Sequence, residues 1–153
     1  MKNFIIILAA AISFSISMTA QTTATWLGGK PGRPTDWNCA ANWSEGKTPN
    51  EFAQVIIPAG AEYYPVIKDE IAPIDALLVE GGSSLTIQNG SMLTVLGETG
   101  RFDGITLFGK VFNNGLLEVE NIPSMSVAFM QQIQGLGSVE SPFAKLDSVA
   151  RGR

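Results

Sequence analysis

Between Leu77 and Val119 apolar and polar positions alternate in short runs, each closed by Gly or Asn. Leu77-Leu78-Val79 precedes Glu80-Gly81-Gly82, Leu85-Thr86-Ile87 precedes Gln88-Asn89-Gly90, and Leu93-Thr94-Val95 precedes Leu96-Gly97. The pattern resumes at Ile105-Thr106-Leu107 and again at Leu117-Glu118-Val119. Leu77, Leu85 and Leu93 fall 8 residues apart, and Leu93, Ile105 and Leu117 fall 12 apart. Period-two alternation predicts short strands that point Leu, Ile and Val into a narrow core and Thr86, Thr94, Thr106 and Glu118 outward. Gly82, Gly90, Gly97, Gly109 and Gly115 sit where the path must turn, and glycine enters positive φ without a steric penalty. Evenly spaced strands of this kind build a solenoid in which coils stack on one another. Asn89-Gly90 and Asn114-Gly115 equally suit tight primed hairpin turns, so the spacing alone also fits an antiparallel meander or sandwich.

Residues 22–67 have another texture. They hold all three tryptophans, Trp26, Trp37 and Trp43, set among Gly28-Gly29, Pro31-Gly32, Asp36, Asn38, Asn42 and Ser44. One apolar strand is predicted at Val55-Ile56-Ile57, closed by Pro58-Ala59-Gly60, and a second apolar piece at Tyr63-Tyr64-Pro65-Val66-Ile67. Proline cannot donate to a sheet ladder, which places that second piece at an edge or corner. The first open rung of a solenoid needs a cover, and aromatic residues ahead of the first strand suit the task. Trp26, Trp37 and Trp43 with Tyr63 and Tyr64 could instead offer flat faces to sugar rings, with Asp36, Asn38 and Asn42 as hydrogen-bonding neighbours.

At the far end, Met125, Phe129 and Ile133 recur at helical spacing behind Pro123-Ser124, which predicts a short helix plugging the solenoid, with one further irregular rung as the alternative. From Gln134 the chain turns Gly-, Ser- and Pro-rich, and its last residues are expected to fray. At the near end, Met1-Lys2-Asn3 is followed by an apolar run from Phe4 to Ile12 and a small, polar stretch from Ser13 to Ala20. That is the three-part plan of a secretory signal peptide, and the run is short for a spanning helix. The expected organisation is 1–20 signal peptide, 21–54 Trp-rich cap, 55–121 solenoid coils and 122–153 C-terminal cap and tail.

Cleavage after Ala20 leaves 133 residues, one domain's worth. Only Lys2 is charged in the removed segment, so the mature formal charge falls from −4 to −5. No basic stripe points to nucleic acid or to an anionic membrane surface. The single cysteine, Cys39, cannot form an internal disulfide and lies too far from Ala20 for lipidation at the cleavage site. With no histidine anywhere, the commonest general base and most zinc sites are absent. Gly28-Gly29-Lys30-Pro31 fails as a phosphate loop because proline follows the lysine. The carboxylate pairs Asp69/Glu70 and Glu118/Glu120 lack any accompanying calcium-loop spacing and read as solvated surface groups. Asn42-Trp43-Ser44 and Asp147-Ser148-Val149 match glycan-acceptor patterns too short to carry weight. No catalytic residue, cofactor or metal ligand is assigned.

The order Thr25-Trp26-x-Gly, Asp36-Trp37-Asn38, Asn42-Trp43-Ser44, Pro49, Val55-Ile56-Ile57-Pro58 and Tyr64-Pro65-Val66-Ile67 resembles the opening of secreted bacterial parallel β-helix proteins. The runs Leu85-Thr86-Ile87, Gly90-Ser91-Met92-Leu93-Thr94-Val95 and Asn113-Asn114-Gly115-Leu116-Leu117 continue that resemblance, which covers about residues 22–120. It implies a short right-handed parallel β-helix of few coils from a cell-surface or adhesin-like family; with the aromatic N-terminal cap and short C-terminal helix read from the residues, the expected fold is all-β. Such proteins usually run on into longer repeats and a C-terminal sorting domain, whereas this sequence stops at Arg151-Gly152-Arg153. The expected role is that of an exported, non-enzymatic structural or adhesin-like protein, periplasmic, cell-surface or extracellular, with glycans or other surface proteins as partners. The alternative is a carbohydrate-binding module working through Trp26, Trp37, Trp43, Tyr63 and Tyr64. A polysaccharide-degrading enzyme is a distant third, because fold alone grants no activity.

Overall fold

The computed structural model describes residues 21–99, 101–121 and 127–141. Eleven strands and one short helix run in the order β1 (Thr22–Thr25), β2 (Ala53–Ile57), β3 (Val66–Ile67), β4 (Ala76–Val79), β5 (Ser84–Ile87), β6 (Met92–Val95), β7 (Ile105–Leu107), β8 (Lys110–Asn113), β9 (Leu116–Val119), α1 (Val127–Gln131), β10 (Ile133–Gln134) and β11 (Ser138–Glu140). All named strand pairs are parallel. They form three sheets, ordered β1-β2-β4-β7, β10-β8-β5-β3 and β11-β9-β6. The chain visits the sheets in turn, so β4-β5-β6 makes one coil and β7-β8-β9 the next. The earlier coil is β2-β3, completed on the third side by bridges from Glu70 to Met92 and from Ile74 to Val95. The result is a β-solenoid of about three turns, with β1 above it and α1-β10-β11 below.

Register explains the spacing in the sequence. Leu77, Leu85 and Leu93 do not stack on one another; each lies on a different side of the same coil. Their stacking partners in the next coil are Ile105, Val111 and Leu117, reached 28, 26 and 24 residues later. The 8-residue interval is therefore the length of one side plus its corner. Of the two 12-residue intervals, Leu93 to Ile105 spans the corner between β6 and β7, and Ile105 to Leu117 passes over β8, a strand that alternation around the charged Lys110 and the polar Asn113 did not announce.

Inward columns run unbroken down the solenoid: Ala24-Val55-Leu77-Ile105 on the first side, Leu85-Val111-Ile133 on the second and Leu93-Leu117-Val139 on the third. Val55, Leu77, Leu85, Val111, Leu93 and Leu117 have no exposed surface. Burial of each such side chain contributes about 1.5–3 kcal/mol, and the column arrangement lets each coil bury the next. Thr86, Thr106 and Glu118 face outward and are half-buried, as alternation predicts. Thr94 differs. It is 6% exposed and donates to the Glu118 carboxylate at 3.1 Å, so this outward threonine is covered rather than solvated.

The Asn-Gly pairs turn corners instead of closing hairpins. Ser91 N–H donates to Gln88 C=O at 3.0 Å, and Gly90 has φ 81° while Asn89 stays at negative φ. Both primed hairpin turns need positive φ at the first central position, here Asn89, whereas positive φ at the second central position alone makes a type II turn. Glu80-Gly81-Gly82-Ser83 turns the preceding corner in the same way, with Gly82 at φ 86°. At Asn114-Gly115 neither residue has positive φ. Here glycine is required by the stack: a Cβ on Gly115 would run into the carbonyl oxygens of Ser91 and Gln88 in the coil above.

Several expectations at the ends change. The predicted 21–54 cap contains β1, which pairs in register with β2 as the first strand of the solenoid. The predicted helix is five residues long, and Ile133 leaves its helical face to pair with Val111 in a strand. Beyond Gln134 the polar, glycine-containing stretch forms β11 against β9 rather than an irregular tail. Met125, the signal segment 1–20 and Asp147-Ser148-Val149 lie outside the described residues. No described helix is long and apolar enough to cross a membrane.

Candidate functional site

The aromatic residues singled out in the sequence lie at the N-terminal end of the solenoid. Trp26 follows directly on β1, and a loop over residues 27–46 returns so that Trp43 bridges Trp26 in antiparallel fashion. Trp26, Trp37 and Trp43 are between 1% and 2% exposed. Their rings meet edge to face, with centroids 4.9 Å apart for Trp26–Trp43 and 4.7 Å for Trp37–Trp43. Edge-to-face contact matches the positive ring edge to the negative ring face and adds about 0.5–1.5 kcal/mol beyond burial. Buried indole N–H groups need acceptors, and two of the three are placed on backbone carbonyls: Trp26 donates to Tyr63 C=O and Trp43 to Trp37 C=O, each at 2.7 Å.

The polar neighbours are committed to the same loop. Asn42 is fully buried; its Oδ1 accepts from Lys30 N–H at 2.9 Å, and its Nδ2 donates to Arg33 C=O at 2.7 Å and Asp36 C=O at 3.0 Å. Asp36 accepts from Asn38 N–H and from the Arg33 guanidinium. One amide thus ties three stretches of backbone under the tryptophans. Gly28 is confined there, because a Cβ would meet Tyr63 C=O at 2.6 Å and the Trp26 ring nitrogen at 2.8 Å.

A sugar ring stacks on an exposed aromatic face, and indoles buried to this degree present none in this conformation. Of the five aromatic residues weighed as a platform, Tyr63 is 39% exposed and Tyr64 half-buried. Hydrogen bonding to Glu62, and the charge of that carboxylate, raise the Tyr63 pKa above its ordinary value. The Tyr64 hydroxyl is engaged, accepting from Gly60 N–H and donating to Gly82 C=O, each at 3.2 Å. The structure thus brings Trp26, Trp37, Trp43 and Asn42 into one packed unit and leaves Tyr63 and Asn38 at its rim. Cys39 is buried beside that unit.

Two other places carry polar groups that the alternation of the sequence did not single out. Asp75 is 2% exposed, and its carboxylate accepts from Glu98 N–H, Thr99 N–H and the Thr99 hydroxyl. It anchors the corner between β6 and β7, where Phe102 and Asp103 have φ 54° and 49°. Non-glycine residues at positive φ are uncommon and mark a constrained loop. The single signal in the sequence was an acidic residue placed directly before the apolar run of β4.

The second place is the corner between the second and third sheets. A groove of about 420 Å³ runs there over three coils, bounded by Asn89, Ser91, Met92, Asn114, Leu116 and Leu136 with the corner glycines beneath. Asn113, just inside, is 1% exposed and fully used: its Nδ2 donates to Ser138 C=O and its Oδ1 accepts from Gly115 N–H. Among the described residues no group of three or more Cys, Asp and Glu side chains is placed to hold a metal ion. Comparison with known protein families, curated proteins and solved structures finds no match to this chain.

Proposed function

We propose that the chain is an exported, non-enzymatic structural protein of adhesin type, a short β-solenoid that works through its outer surface. The observation that supports this reading is how the buried polar groups are used. Asn42, Asp75, Ser83 and Asn113 are each buried and each hydrogen-bonded to the backbone of a loop or corner. Their chemistry goes into holding the coils, and the outward faces remain for contact. The N-terminal sequence supports export, since the apolar run from Phe4 to Ile12 follows a short positive start. The resemblance of residues 22–120 to secreted bacterial parallel β-helix proteins points the same way, toward a cell surface and toward glycans or other surface proteins as partners.

The test is made in the source cells. Mass spectrometry of the chain should find an N-terminus near Gln21, and protease added to intact cells should remove it. Deleting the gene should reduce attachment of the cells to surfaces or to one another. A chain that retains residues 1–20 and stays in the cytosol would overturn the proposal.

A further inference from the structure

We infer that the groove along the corner between the second and third sheets is a binding site for a neutral glycan, an inference that rests on the surface-protein reading and names its ligand class. Three consecutive coils contribute to it. Gly115 and Gly137 form its floor, stacked below Ser91 so tightly that a Cβ on either would collide with the carbonyl of the coil above. Backbone packing therefore keeps the corner low, and side chains cannot fill it without breaking the stack.

The lining has a definite chemistry. None of its ten residues is charged; the polar ones are Asn89, Ser91, Asn114 and Ser138. Asn114 Oδ1 accepts from Leu136 N–H at 3.3 Å, which leaves its Nδ2 to donate outward. The exposed Asn89 amide makes no hydrogen bond with the described residues. The Ser91 hydroxyl is a buried side-chain polar atom without a partner in a residue only 3% exposed. Its counterpart at the preceding corner, Ser83, donates to both Ile57 C=O and Glu80 C=O. The Ser91 hydroxyl itself has no exposed surface, so the polar groups that a ligand in the groove meets directly are the exposed amides of Asn89 and Asn114.

Beside these polar groups stand Met92 and Leu116, half-buried, and Leu136, which is 99% exposed. A wholly apolar ligand would cover the amides without satisfying them, a net cost. An anionic ligand would find no cation in the lining, on a mature chain of formal charge −5. A neutral polyhydroxylated chain fits both halves, because its hydroxyls donate and accept at the amides while its C–H faces lie on Met92, Leu116 and Leu136. The volume lies within the roughly 300–1,000 Å³ of small-ligand sites.

The test uses the mature protein, residues 21–153, titrated with neutral hexasaccharides of glucan, mannan, xylan and galactan type and with an oligogalacturonate, followed by calorimetry. At least one neutral oligosaccharide should bind saturably, and more tightly than the anionic one. Asn89→Ala combined with Leu136→Ala removes two exposed side chains that support no core contact, so folding should persist by circular dichroism. Affinity in that variant should fall by about tenfold or more, the equivalent of about 1.4 kcal/mol. Failure of every neutral glycan, equal binding of the anionic one, or unchanged affinity in the double variant overturns the inference. Cell attachment is a separate readout. Attachment that survives the double variant removes the groove while leaving the surface role standing.

Discussion

The two halves of this molecule hold together by different means. In the coils from β4 to β9 the same arrangement recurs: an inward Leu, Ile or Val on each side, a tight corner, and a ladder to the coil above. In the N-terminal cap nothing recurs. Three indoles, one amide and one glycine each occupy a position that no neighbouring coil repeats. Coils share their load among equivalent contacts, whereas the cap depends on particular side chains. A solenoid needs both, because repetition alone leaves an uncovered apolar rung at its end.

The largest expected effect tests whether the coils truly share a dry interior. Ile87 and Val95 have no exposed surface and sit in inward columns. Ile87→Asp or Val95→Asp should abolish soluble folded protein in expression trials, since an unpaired charge would be forced into the rung. Recovery of folded, cooperatively melting protein from either variant would show that the coils are less tightly coupled than the columns suggest.

Next comes the cap. Trp43→Ala removes a ring in contact with two others and an N–H bonded to Trp37 C=O. The expected loss is about 3–5 kcal/mol, read as a fall in the denaturation midpoint. That is a large share of the stability of a small domain. Any glycan affinity of the folded fraction should be unchanged. A Trp43→Ala protein that melts like the parent but has lost glycan binding would make the cap a ligand platform and erase the contrast.

The smallest effect separates two outward threonines within the coils. Thr86 is half-buried, so Thr86→Asp should shift stability by about 0.5 kcal/mol or less. Thr94→Asp would set a carboxylate against Glu118, whose Oε2 accepts from Thr94 at 3.1 Å. Its cost should be visibly larger, and it should shrink on acidification as the carboxylates protonate. Equal melting temperatures for the two variants across that range would place Thr94 in solvent after all.

Legibility in the sequence followed the same division. Alternation located β4, β5, β6, β7 and β9, because a strand with one face in a core must repeat every second residue. It missed β8, where Lys110 faces out and the inward Asn113 replaces an apolar residue at the corner. It lengthened α1 because Phe129 and Ile133 are spaced for a helix, although Ile133 gains a ladder partner and core contact as a strand. The tryptophans were legible as cap or platform, two roles that use the same ring. Burial of the three rings, with the Trp26 and Trp43 N–H groups on backbone carbonyls, is a property of the packed rings, and no spacing along the chain announces it.

By itself the sequence determined that this chain is built from short strands joined at glycine corners, behind an aromatic opening segment. Those properties are local, set by side-chain alternation and by the φ angles glycine allows. Tertiary structure alone decided that Asn89-Gly90 turns a parallel corner instead of closing a hairpin. It also decided that Leu77, Leu85 and Leu93 belong to one coil, and that Asn89, Ser91 and Asn114 meet in a groove. Each of these depends on what lies one coil away, 22 to 28 residues along the chain. A parallel strand's partner is chosen by stacking across that distance, where local pattern carries no information.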